Sequence, residues 1–139
     1  MNLNNFTIKA QEAVQHAQQI AMEHGHQAME PAHLLKGIFQ VDENVTPFVL
    51  KKLGVNFENI KRALDGILQS YASVSGGNQY LSRTSTEALQ KANTYLKEFG
   101  DEFVALEHLL LGILSVKDST SQMLKDSGIT EKSLKAAVQ

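Results

Sequence analysis

The chain has 139 residues, 13 Lys and Arg against 15 Asp and Glu, a net charge of −2, 42% apolar residues and no cysteine. That length buries a full core in one domain without cross-links, and the missing cysteine excludes disulfides, thiol nucleophiles and cysteine metal sites. A near-neutral charge with no basic stripe excludes a general field for nucleic acid or an anionic membrane surface.

From Thr7 to His24 the apolar positions Ala10, Ala13, Val14, Ala17, Ile20 and Ala21 recur at helical spacing. Asn5 or Thr7 supplies the cap, and Gly25 ends the helix. The alanines make a thin stripe, which lets a second helix backbone approach closely. Pro31 opens the next helix, because its missing N–H would have no partner there anyway. That helix runs to about Phe39, with Leu34, Leu35, Ile38 and Phe39 as its buried face. Helices over about Val45–Leu53 and from Asn56 to Ser70 follow. Residues 71–80, Ser/Gly-rich, read as a connector inside one domain.

After the connector the chain repeats itself. His33-Leu34-Leu35-Lys36-Gly37-Ile38 returns as His108-Leu109-Leu110-Leu111-Gly112-Ile113. At the same offset Thr7 matches Ser82, Ala13 matches Ala88, Ala17 matches Ala92, and Gly25 matches Gly100. After a one-residue slip Leu50-Lys51 matches Leu124-Lys125, and Gly54-Val55 matches Gly128-Ile129. A period of half the chain marks a duplicated unit, and two copies are too few for a solenoid. The expectation is an all-α fold of two four-helix repeats, about residues 6–70 and 81–139, closed around a pseudo-twofold axis into one domain. The last helix of the second copy stops at Gln139, short of its counterpart, so the chain reads as the N-terminal piece of a longer protein, the alternative being a naturally shorter last helix.

The chemistry the residues can carry is limited. There is no phosphate-binding glycine loop and no G-x-S-x-G turn. His24 and His26 flank Gly25 without a metal-ligand set and read as exposed residues at a helix end. His33 and His108 hold matching places in the two copies, which points first to packing, each imidazole bonding backbone at the start of its helix. Asp101 and Glu107 flank the turn before a helix. Two readings stand: helix-terminus electrostatics, or an acidic rim for a basic or amide-rich peptide. The start of the chain has no apolar signal region and no apolar run is long enough to span a bilayer, so the expected place is the cytoplasm.

The stretches FTIKAQEAVQHAQQIA, EPAHLLKGI and GDEFVALEHLLLGIL resemble the Clp N-terminal repeat domain over both copies. The Glu30-Pro31-x-His33-Leu34 wording and the SGG connector are most similar to the disaggregase branch of that family. The alternative is an adaptor- or client-docking domain of the protease-partner branches. The resemblance implies a non-catalytic module that binds unfolded or aggregated polypeptide and helps pass it to an ATP-driven ring. It implies no cofactor in this domain, with ATP and magnesium in absent modules. It also implies a monomeric isolated domain, a hexameric whole protein and cooperation with the DnaK chaperone system. The family's groove residues correspond to Thr7, Leu89, Tyr95, Asp101 and Glu107. Positions that are leucine in some relatives are Lys91 and His108 here, which implies a more polar peptide preference. The first copy has Ala32 opposite Glu107, so the matched acids that hold phosphoarginine in one branch are incomplete.

Overall fold

The computed structural model describes residues 3–138. Eight helices form two sequential sets of four: α1 (Ile8–Glu23), α2 (Pro31–Val41), α3 (Val45–Lys52) and α4 (Phe57–Ser70), then α5 (Arg83–Phe99), α6 (Leu106–Ser115), α7 (Ser119–Asp126) and α8 (Glu131–Val138). The two halves repeat each other bond for bond at their starts. Thr7 caps α1 by accepting from the Ala10 N–H, and Ser82 caps α5 by accepting from the Ser85 N–H. Both helices end before a glycine in the left-handed region, Gly25 at φ 70° and Gly100 at φ 72°, where a side chain would be strained.

The alanine stripes do what their size permits. Ala10, Ala13 and Ala17 of α1 and Ala92 of α5 have no exposed surface. Gly37 of α2 lies on the Ala13 carbonyl, and Gly112 of α6 lies on the Ala88 carbonyl. A Cβ at either glycine would overlap that oxygen. Leu34, Leu35, Ile38, Leu109, Leu111 and Ile113 then fill the centre, each worth roughly 1.5–3 kcal/mol of burial. Phe39 is only half-buried, its ring edge-on to Phe57 at 4.9 Å.

The halves are interlocked rather than stacked. α4 of the first half packs on α7 of the second, and α8 of the second packs on α3 of the first. Two short parallel contacts, which helical periodicity does not reveal, tie them further. β1 (Ala28–Met29) pairs with β2 (Tyr80–Leu81), and Phe6 bridges Val104. Leu81 matches Phe6 and Val104 matches Met29 in the repeat. Each half thus sends the residue before its first helix to the residue before the other half's second helix. The Thr7 N–H donates to the Val104 carbonyl at 2.9 Å, and the Ser82 N–H to the Met29 carbonyl at 3.1 Å.

Candidate functional site

Three helix starts meet at one cleft. The Thr7–Val104 bond sets the start of α1 against the start of α6. The start of α3 completes the third side. The cleft holds about 420 Å³ and is lined mainly by apolar surface from Thr7, Lys9, Asp42, Asn44, Val45, Ala105, Leu106 and Glu107. That size falls in the range of ligand sites. Ile8 and Phe48, on adjoining turns of α1 and α3, are 74% and 65% exposed.

The polar groups around the cleft are unevenly engaged. Asp42 accepts from the N–H groups of Asn44, Val45 and Thr46 and from the Thr46 hydroxyl at 2.7 Å. Burial pushes its carboxyl up, but these four donors outweigh that and hold it below the usual carboxylate range. Asp42 therefore caps α3 and has little left for a ligand. Lys9 donates to the Val41 carbonyl and lies 3.9 Å from Glu12. Glu107, in the first turn of α6, has no hydrogen bond or ion pair among the described residues. It is the free carboxylate of the cleft.

Asp101 and His108 form a pair of their own beside it. The Ala105 N–H donates to His108 Nδ1 at 2.8 Å, which places the ring proton on Nε2. That Nε2–H donates to Asp101 at 2.9 Å, with the Phe99 ring 5.6 Å away. The first half repeats the arrangement with a different partner. The Glu30 N–H donates to His33 Nδ1 at 2.9 Å, and His33 Nε2–H donates to His26 Nδ1 at 2.8 Å. His26 stands where Asp101 stands in the second half. Both His33 and His108 pack at the start of their helices on backbone. His26 corrects the expectation from sequence: it is 6% exposed, wedged between His33 and Tyr71. Burial drives the His33 pKa down to about 4, with His26 and His24 adding to the shift.

The expected groove residues are thus distributed over three places. Thr7 and Glu107 share the cleft, and Asp101 and His108 hold each other. Leu89 and Tyr95 are only 6% and 7% exposed and belong to the core side of α5. The Tyr95 hydroxyl donates to Ser115 at 2.8 Å, because the Ser115 hydroxyl itself donates to Leu111. The Lys135 ammonium sits 5.1 Å over the Tyr95 ring. Lys91 lines a separate shallow hollow with Gln90, Thr94 and Ser115. Sequence reading missed Asp42, Val45, Ala105 and Leu106. The Asp-x-x-Val-Thr run is a capping signal for Asp42, but nothing local places α3 beside α6. Among the described residues, no group of three or more His, Cys, Asp or Glu is placed to hold a metal ion. No helix there is long and apolar enough to cross a membrane.

Fold and cleft together define a double helical repeat domain with an open cleft where its halves meet. The chain belongs to the Clp repeat (R) N-terminal domain family, whose profile matches residues 5–127. It is 54% identical over 138 residues to the chaperone protein ClpB of Bacteroides thetaiotaomicron, covering 99% of this chain and 16% of that protein. It is 42% identical over 139 residues to ClpB of Porphyromonas gingivalis, covering 100% of this chain and again 16% of that protein. The chain thus spans about one sixth of the length of these relatives. The Hsp104 N-terminal domain from Candida albicans has the same fold, with a TM-score of 0.84 at 20% identity over 96% of this chain and 89% of that one. The N-terminal domain of ClpD from Arabidopsis thaliana superposes with a TM-score of 0.73 at 25% identity, covering 99% and 94%.

Proposed function

We propose that this chain is the polypeptide-binding module of a ClpB-type disaggregase. It holds unfolded or aggregated segments and aids their delivery to an ATP-driven ring. The observation that carries the reading is the cleft itself. Thr7 and Glu107 line one apolar hollow, and the Glu107 carboxylate has no partner among the described residues. An apolar floor with one free charge takes many exposed segments weakly, and weak contact suits a module that must release its client. Several copies tethered to one hexameric ring raise the effective concentration of binding sites. The domain supplies no chemistry of its own in this reading. ATP and magnesium act in the ring, the DnaK system acts with the whole protein, and the setting is the cytoplasm. The likeness to the ClpB relatives favours this over docking to a protease partner.

The test is a titration of the isotope-labelled domain with reduced, carboxymethylated lactalbumin, a permanently unfolded chain. Resonances of Thr7, Val45 and Glu107 are expected to move, and Glu107→Gln is expected to weaken binding about tenfold, one charge-assisted hydrogen bond. Binding without shifts at the cleft would sink the reading.

A further inference from the structure

The first half's counterpart of the open cleft involves the starts of α2 and α7, and Tyr71, where the connector begins, packs there. The Tyr71 hydroxyl faces the Ser119 and Thr120 side chains in the first turn of α7. Its ring packs on His26 at 5.5 Å and on His33 at 5.6 Å. Burial, with the Glu30 and Asp118 carboxylates nearby, pushes the phenol up to about 12, so it stays a hydrogen-bond donor. The contact with Thr120 is too loose to count as a full hydrogen bond, and that buried hydroxyl has no other partner.

Beyond Tyr71 the connector runs along the turn after α1. The Ser73 hydroxyl donates to the His24 carbonyl at 2.7 Å, the Val74 N–H to Gly25 at 2.9 Å, and the Gln79 amide to His26 at 3.1 Å. The matching turn after α5 is bare. The carbonyls of Phe99, Gly100 and Asp101 accept no hydrogen bond from described residues. A Cβ on Gly25 would meet the Val74 backbone at 3.3 Å, whereas a Cβ on Gly100 would meet nothing within 4 Å. Val45 of the open cleft matches Ser119, and Thr46 matches Thr120. The acids differ in place: Glu107 stands where Ala32 stands, while Glu30 and Asp118 beside Tyr71 are matched by Ala105 and Asn44, so the open cleft carries its carboxylate on α6.

We infer that the connector shows how a client docks on the second half: an extended segment with an aromatic side chain in the cleft of Thr7, Val45 and Glu107, a cation beside it for Glu107, then a hydroxyl side chain on the free carbonyl of Phe99 and a backbone N–H on that of Gly100. This occupant rests on the polypeptide-binding reading and narrows it to aromatic-led segments. The main-chain bond to Gly100 is independent of sequence, as in strand addition. The aromatic and the charge select.

The probe is the free peptide Tyr-Ala-Ser-Val-Ser-Gly-Gly-Asn-Gln-Tyr, the sequence of residues 71–80, whose terminal amine lies next to the leading tyrosine. Titrated into the labelled intact domain, it is expected to shift Val45, Gly100 and Glu107 saturably. The Y71A peptide is expected to lose saturation, and N-acetylation to weaken binding about tenfold, the charge-assisted contact to Glu107. Equal binding of the parent and Y71A peptides, or shifts that avoid Gly100, overturns the inference. If unfolded lactalbumin moves the cleft resonances while the decapeptide does not, the template falls and the polypeptide-binding reading stands. If neither moves them, both fall.

Discussion

His108 donates its Nε2 proton to Asp101 at 2.9 Å, and the bond joins the turn after α5 to the first turn of α6. The ring is buried while the carboxylate is half-exposed, so the imidazole loses far more than the acid if the contact breaks. Asp101→Ala is expected to cost about 1–3 kcal/mol, a buried donor left unsatisfied. Asp101→Asn, whose amide oxygen still accepts, is expected to keep most of that stability. Urea midpoints of the two variants separate the outcomes. Equal loss in both would show that charge, not the hydrogen bond, holds the turn.

The first half gives a pH dependence of definite sign. Burial lowers the His33 pKa to about 4, against an ordinary value of about 6.5. The folded state therefore disfavours the proton that the unfolded chain accepts. Stability is complete above about pH 6.5 and falls as pH drops towards about 4, by about 3 kcal/mol in all. His26 is shifted in the same direction by burial and by His24. His33→Gln is expected to flatten most of that slope in denaturation curves taken between those pH values. A slope unchanged in the variant would place the titration elsewhere.

Gly37 and Gly112 set how closely α1 meets α2 and α5 meets α6. Alanine at either is expected to destabilise by about 1–3 kcal/mol, because the added methyl meets a backbone oxygen that cannot turn aside. Gly66, in α4, has nothing within 4 Å of its would-be Cβ. Gly66→Ala is expected to stabilise by about 0.5–1 kcal/mol. Thermal melts of the three variants should therefore move in opposite directions.

Leu89→Asp does not isolate client binding. An unpaired carboxylate at a site 6% exposed is expected to cost about 3–5 kcal/mol, a large share of the roughly 5–15 kcal/mol that holds an ordinary domain. Circular dichroism should show the loss as a lowered melting point before any binding assay is run. Glu107→Gln, half-buried and without a hydrogen-bond partner among the described residues, should lower the melt only slightly, by about 0.3–1 kcal/mol, the contribution of a first-turn acid.

The helices were legible in the sequence because their signals are local. Thr7 and Ser82 precede alanine-rich stripes, Pro31 opens α2, and Gly25 and Gly100 follow helix ends. The duplication was equally plain in His33 and His108. The site was legible only in part, since its members come together through the crossing of the halves. Val45 looks like an ordinary apolar residue at a helix start until α6 is laid beside it. Leu89 is the opposite case: its spacing with Ala88, Ala92 and Leu96 already marks a core stripe, and it is 6% exposed. His26 sits in a turn that reads as exposed, and its burial depends on Tyr71, which arrives from the far end of α4.

The reciprocal bridges, Phe6 to Val104 and Leu81 to Met29, carry a historical implication. A lone copy of the ancestral unit would have left that pairing edge vacant, and a second identical molecule is the natural occupant. In this chain the stretch around Gly76 and Gly77 keeps both partners of that pairing in one molecule. Cleaving the backbone at those glycines should leave two separate pieces, each incomplete alone and folding on mixing.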